Sequence, residues 1–458
     1  MRNKLAVSLV IGFLFISALL TWRKRWSQVT DVPLSSPLIV DFTLIDVEDA
    51  PVIQLDDSQL ASDENDEKCT HFTCFDVYRC DTTEHEHMQV YIYPVKRYVD
   101  SSGILISSPF TDEFWQLLEV IRSSPYYTSD PSKSCLFIPS IDMLSQSYVR
   151  LEETSQVLNS LQYWNRDGSN HLIFNMIPGS FPDYNRRLDM STGKSMIAGG
   201  GFDSWTYRTA FDVSLPVYSP HSADPNNHLV IKEEHQRKWF LLSTQLEAMD
   251  KSSKQIISNL EERYKDEMLI LSNRCLKSNE NGTLSKIRCN VQRNITVNYP
   301  TILQKATFCL VARTAYLGTP LISDIIMSGC IPVFALNEYV LPFEELIDWK
   351  RVSVRIHESS LKDVFEILKS VTPSKITEMQ KQTVFVWTTY FSTIKAITLT
   401  TLGIINDRLN PHAVISKEDR NLPFSFPKQQ PPALVSPKST TSVTQGFTAV
   451  ILTYERKM

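Results

Sequence analysis

Short uninterrupted apolar runs recur along the chain, each followed by a stretch whose apolar positions are three and four residues apart. Val90-Tyr91-Ile92-Tyr93 is stopped by Pro94, and Phe114 to Ile121 then carries helical spacing. The alternation returns at Cys135 to Pro139, His171 to Phe174, Trp239 to Leu242, Met268 to Leu271, Phe308 to Val311 and Ile331 to Phe334. A strand that is apolar at every position is buried on both faces, so the pattern predicts parallel α/β layers. The units are too many for one small sheet. Two lobes are expected, with the Pro- and His-containing segment from Pro216 to Asn227 as the crossover. Towards the end, Ile376, Met379, Val384, Trp387, Phe391, Ile394 and Leu402 form a broad apolar stripe, which predicts a single long helix packed as core.

The flanks read differently. Leu5 to Trp22 carries no charge, and about 18 apolar residues nearly cover a hydrocarbon layer. A cleaved signal peptide would have a shorter core and a small-residue exit. Here the exit is Leu19-Leu20-Thr21-Trp22 and then Arg23-Lys24-Arg25, so residues 1–4 are expected as a cytosolic tail and 5–22 as an uncleaved signal-anchor. A literal count of basic residues around the span would leave the long part in the cytosol. Eight cysteines in near neighbours and two Asn-x-Thr sequons, at Asn281 and Asn294, outweigh that count. The expected topology is therefore type II with a luminal body. Residues 23–68, rich in acids and broken by Pro33, Pro37 and Pro51, are expected as a stem. Residues 412–445 have linker composition, with Pro423, Pro427, Pro431, Pro432 and Pro437. Gly446 to Tyr454 then reads as a strand with nothing left to pair against.

Composition narrows the function. With 458 residues, 42% hydrophobic and 21% charged, the chain can bury a substantial core. A net charge of -5 and a pI near 6.0 give no field for gripping nucleic acid, so an anionic substrate would need a local basic pocket. Glu84-His85-Glu86-His87 has metal-ligand spacing but no third anchor, and a solvated turn is the competing reading. Gly199-Gly200-Gly201 lacks the frame of a phosphate loop and is read as a cleft-edge loop. Asp142 follows a strand end, where α/β folds place functional groups. It is a candidate base, with a turn cap as the alternative.

From Cys69 to Pro411 the motifs resemble the exostosin family, glycosyltransferase family 47. They occur in order: Val90-Tyr91-Ile92-Tyr93-Pro94, Tyr126-Tyr127-Thr128 with Asp130-Pro131, Phe137-Ile138-Pro139, Trp164-Asn165 with Asn170-His171, and Gly329-Cys330-Ile331-Pro332-Val333. Cys74 to Cys80, Ala198 to Phe202 and Leu341-Pro342-Phe343 with Asp348 to Arg351 are most similar to the branch that supplies the second subunit of the heparan sulfate copolymerase. The strand at 446–458 resembles the start of that branch's second transferase domain, of family 64. The resemblance implies a GT-B-like α/β fold, two Rossmann-like lobes around a cleft, with the N-lobe at about 69–235 and the C-lobe at about 236–411. It further implies a Golgi or endoplasmic reticulum membrane protein, UDP-sugar dependent transfer of glucuronic acid with inversion, and no metal. The absence of any Asp-x-Asp triplet agrees.

The donor site departs from the family. Active members carry Pro-Arg-Gly after the Phe-Cys-Leu strand and an Arg-x-x-Glu pair on the helix before the Gly-Cys-Ile-Pro turn. Here Ala312-Arg313-Thr314 replaces the first, and Leu321 and Asp324 replace the second. Leu321 cannot pair with phosphate, and losing a buried cation forfeits about 1.5–3 kcal/mol of charge-assisted contact. A degenerate donor site is expected. Three roles follow: glucuronosyl transfer onto heparan sulfate, a non-catalytic heterodimer partner for an active exostosin, or a lobe that holds the polysaccharide acceptor. The cysteines are expected to pair locally, Cys69 with Cys74, Cys80 with Cys135, Cys275 with Cys289 and Cys309 with Cys330, because each pairing closes a short loop or joins neighbouring elements.

Overall fold

The structure, a computed structural model, describes residues 50–55, 69–80, 87–106, 110–144, 150–165, 167–176, 190–223, 237–273, 275, 287–290 and 292–409. The expected signal-anchor, the linker 412–445, the strand 446–458, Asn281 and Glu84 to Glu86 lie outside the described residues. Among the described residues no helix is long and apolar enough to cross a membrane.

Two parallel α/β lobes account for the recurring apolar runs. In chain order the first lobe contains β1 (Val52–Gln54), β2 (Val90–Ile92), β3 (Arg97–Val99), β4 (Leu136–Ile138), β5 (Leu172–Phe174), β6 (Met196–Gly199) and β7 (Val213–Ser214). β2 pairs with β4, and β5 with β6 and β6 with β7, all parallel. A bridge from Phe137 to His171 joins the two groups, with Phe137 N donating to Asn170 O at 2.9 Å. The helix Asp112–Arg122 covers one face. Thr111 caps it by accepting from Phe114 N at 3.2 Å, and Asp112 and Glu113 suit the positive end of its dipole.

The second lobe contains β8 (Trp239–Ser243), β9 (Met268–Ile270), the hairpin β10 (Ile287–Asn290) and β11 (Ile295–Asn298), then β12 (Ala306–Ala312), β13 (Ile331–Ala335) and β14 (Val354–Arg355). Its parallel sheet runs β14-β13-β12-β8-β9. β12 is buried along its whole length, which explains why its sequence holds no polar alternation.

Four disulfides join Cys69 to Cys74, Cys80 to Cys135, Cys275 to Cys289 and Cys309 to Cys330. The last ties the centre of β12 to the turn before β13.

Two expectations are corrected. The stem does not extend through residue 68 as a pure spacer: β1 pairs in parallel with β3, and Ala50 and Leu55 are buried in the first lobe. The single long terminal helix is instead two helices, Pro373–Val386 and Ile394–Leu409, separated by a π turn at Trp387–Phe391. The wide turn places Trp387 and Phe391 in the core beside Trp349 and Phe343. Thr393 then caps a new start, accepting from Ala396 N at 3.0 Å. The second of these helices leaves its own lobe and packs on Asp112–Arg122 of the first. It is held there by Met88 N donating to Asn406 Oδ1 at 2.9 Å and by Arg408 donating to Phe211 O at 2.6 Å and Asp212 O at 2.7 Å.

Candidate functional site

In the second lobe the strand order reverses between β8 and β12, and open α/β sheets bind ligands at the carboxyl ends of the two strands that flank such a reversal. Those ends are Ser243 and Ala312, so Arg313 and Thr314 stand at the crevice. The loops that border it pair with each other: Met249 bridges Thr314, and Ala315 N donates to Ala248 O at 3.2 Å. Thr314 Oγ1 turns back to Tyr316 O at 2.5 Å.

Arg313 is engaged by Glu358. Its Nε donates to both carboxylate oxygens at 3.0 Å and its Nη2 to Oε1 at 2.6 Å. Asn337 N also donates to Glu358 at 3.0 Å, and Asn337 Oδ1 accepts from Glu358 N at 3.0 Å. Burial works to raise the Glu358 carboxyl, but the Arg313 and Asn337 bonds outweigh it and hold it below the usual range.

Leu321 and Asp324 occupy one helix, Leu321–Met327, buried at every position. Leu321 contributes to the hydrophobic core, and Asp324 is 1% exposed. The Asp324 carboxylate accepts from Tyr299 Oη at 2.5 Å and from Ser219 Oγ of the other lobe. Arg288 lies over the Tyr299 ring with its guanidinium carbon 4.2 Å from the centroid, and His221 meets the ring edge at 5.4 Å. Burial raises the Asp324 carboxyl, opposed by the two hydroxyls and then by His221 and Arg288. Beside it, Ser323 Oγ donates to Val217 O at 2.5 Å, again across the lobes.

The triple glycine lies on the same seam. Gly199 ends β6, while Gly201 and Gly318 both adopt left-handed backbone, at φ +81° and +70°. A Cβ built on Gly201 would stand 2.5 Å from Gly318 N, so the lobes meet there backbone to backbone. Val340 N donating to Phe202 O at 3.0 Å, Ser204 N to Glu338 O at 2.7 Å and Phe343 N to Ser214 O at 2.7 Å continue the seam.

Asp142 acts as a structural acceptor. Its Oδ2 takes the N–H and the hydroxyl of Thr111, both at 2.7 Å, and its Oδ1 takes Leu144 N at 2.8 Å. It is 5% exposed and anchors the cap of the first helix. His87 packs near Tyr126. Among the described residues no group of three metal-ligating side chains occurs. Asn294 lies exposed in the β10–β11 turn, with φ 51°.

The structure therefore brings Asp324 together with Ser219, Tyr299, Arg288 and His221, none of which stands out by local spacing. Ser219 and Asp324 are 105 residues apart, and no short motif encodes such a contact. Arg313 is placed with Glu358 instead, 45 residues downstream.

Residues 84–371, spanning strands of both lobes, match the model of the Exostosin GT47 domain. The chain belongs to the exostosin family. Over 415 residues this exostosin is 44% identical to Exostosin-2 of Bos taurus, covering 89% of the chain and 56% of that protein. It is 43% identical over 417 residues to Exostosin-2 of Homo sapiens, covering 90% and 56%. Exostosin-1 of Drosophila melanogaster is 32% identical over 363 residues, covering 76% and 46%. The chain thus spans about half the length of the curated relatives it matches. Among solved structures, AviGT4, a glycosyltransferase involved in avilamycin A biosynthesis, aligns with a TM-score of 0.29 and 10% identity over 70% of the chain and 98% of that structure.

Proposed function

We propose that this exostosin serves heparan sulfate chain synthesis as a GT-B-type family member whose own donor cleft works as scaffold, paired as a heterodimer with an active exostosin in the Golgi or endoplasmic reticulum membrane. One observation carries the reading. At the two positions where the resemblance expects an Arg-x-x-Glu pair, Leu321 is core and the Asp324 carboxylate accepts the hydroxyl of Ser219 from the other lobe and that of Tyr299 from its own. The cation that the resemblance places at the switch point, Arg313, is held by Glu358 in three hydrogen bonds. A diphosphate entering here would have to break that pair and part the Met249–Thr314 bridge before meeting a positive charge.

Titration calorimetry of the full chain in detergent with UDP and with UDP-glucuronate, with and without divalent metal, tests this. No saturable binding is expected below millimolar concentration in either condition. Submicromolar UDP binding with glucuronosyl transfer by the unaltered chain would overturn the scaffold role.

The competing reading is metal-independent, inverting glucuronosyl transfer by this chain. It draws support from Arg313, which does stand at the carboxyl end of β12. Arg313→Ala strands Glu358 and costs stability under either reading, and transfer separates the two: an enzyme loses glucuronosyl transfer in the fraction that stays folded, whereas a scaffold has none to lose.

A further inference from the structure

A cavity of about 330 Å³ opens on the first lobe at the carboxyl end of β2, lined by none of the seam residues named above. It falls at the small end of the roughly 300–1,000 Å³ range of small-molecule sites. Tyr91, Tyr93, Tyr98 and Tyr163 line it, with Lys96 and Gln162 at its polar side. β1 contributes one wall, so the segment that the sequence assigns to a spacer completes the pocket.

The floor is fixed by a chain of hydrogen bonds. Ser169 O pairs with His171 Nδ1 at 2.9 Å, His171 Nε2 with Tyr93 Oη at 2.9 Å, and Tyr163 N donates to Tyr93 Oη at 3.1 Å. Burial holds His171 near pKa 4, which keeps the ring neutral. With Nδ1–H donated to Ser169, Nε2 accepts from Tyr93, and that phenol is satisfied. The phenols of Tyr91, Tyr98 and Tyr163 make no side-chain hydrogen bond among the described residues. Tyr91 and Tyr163 meet at 5.9 Å and 87°, forming a corner of one ring face and one ring edge. Among the described residues Lys96 is the one charged residue in the lining.

An aromatic corner, phenols and a single lysine that makes no ion pair among the described residues match a pyranose ring that carries a carboxylate. Its apolar face would lie on a tyrosine, its hydroxyls would meet phenols, and its carboxylate would meet Lys96. A diphosphate would find only that one cation. We infer that this pocket is a subsite for a uronic acid residue of an oligosaccharide. The choice of sugar rests on the glycan-synthesis reading above.

The test uses the full chain in detergent and two probes, a tetrasaccharide of alternating glucuronic acid and N-acetylglucosamine and its carboxyl-reduced counterpart, followed by calorimetry. The acidic probe should bind, and Lys96→Met should weaken it about tenfold, to the level of the reduced probe. Tyr98→Phe, which removes one hydroxyl and preserves the packing, should weaken both probes. Equal affinity for the acidic probe in all three proteins overturns the subsite while leaving glycan handling in place elsewhere on the chain. No binding to the unaltered chain overturns it too. Co-purification with an active exostosin, measured on the same preparation, then decides the scaffold reading separately.

Discussion

Two buried titratable groups pull the pH dependence of stability in opposite directions. The Asp324 carboxyl is raised by burial, so its folded form prefers the proton. Its contribution is fully present below the unfolded pKa of 3.8 and is lost as pH rises through the folded value. Asp324→Asn, still an acceptor, should gain on the unaltered chain between pH 4 and pH 7 in urea unfolding. Asp324→Leu should cost about 1–3 kcal/mol for each hydroxyl left unmet. His171 is lowered to about 4 by burial, so it stabilises above its ordinary 6.5 and loses that contribution as pH falls towards 4. The shift corresponds to an upper bound of about 3 kcal/mol. His171→Gln should flatten the stability curve between pH 7 and pH 4.5, read by the same denaturation series. Neither role is legible from a single position: Asp324 is visible in the sequence only as a shortened acid, and the hydroxyls that bond it come from distant segments.

Among the elements, the apolar strands were readable because burial on both faces leaves no polar alternation to confuse them. β1 escapes that logic, since only its middle residue is partly buried and it sits amid acids. β6 ends in glycine, and β7 is two residues long. The π turn cannot be read either, because the stripe through Trp387 and Phe391 suits an unbroken helix equally well. Asp142 shows the same limit at a helix start. Its place after β4 is evident, yet Thr111, 31 residues upstream, decides its role. Asp142→Ala should lower stability by about 1–3 kcal/mol through two unmet Thr111 donors and a weakened cap, measured by thermal or urea unfolding. A base would instead show lost transfer at unchanged stability.

Across the molecule the lobes are joined by a backbone seam that leaves no room for a side chain at its glycines. Gly201→Ala places a methyl group against Gly318 in a left-handed conformation, and should cost about 1–3 kcal/mol. Small-angle scattering should show the lobes splayed, with a larger radius of gyration. An unchanged radius together with unchanged stability would mean that the seam yields freely. The returning helix Ile394–Leu409 adds a constraint in time. Met88 and Asn406, which it brings together, are 318 residues apart, and a ribosome adding about 5–20 residues per second needs roughly 15–60 s to bridge them. Throughout that interval the part of Asp112–Arg122 that Ile394–Leu409 will cover is open to chaperones. Lesions in Ile394–Leu409 should therefore show up as lost yield of folded protein during synthesis, with the molecules that do escape behaving normally.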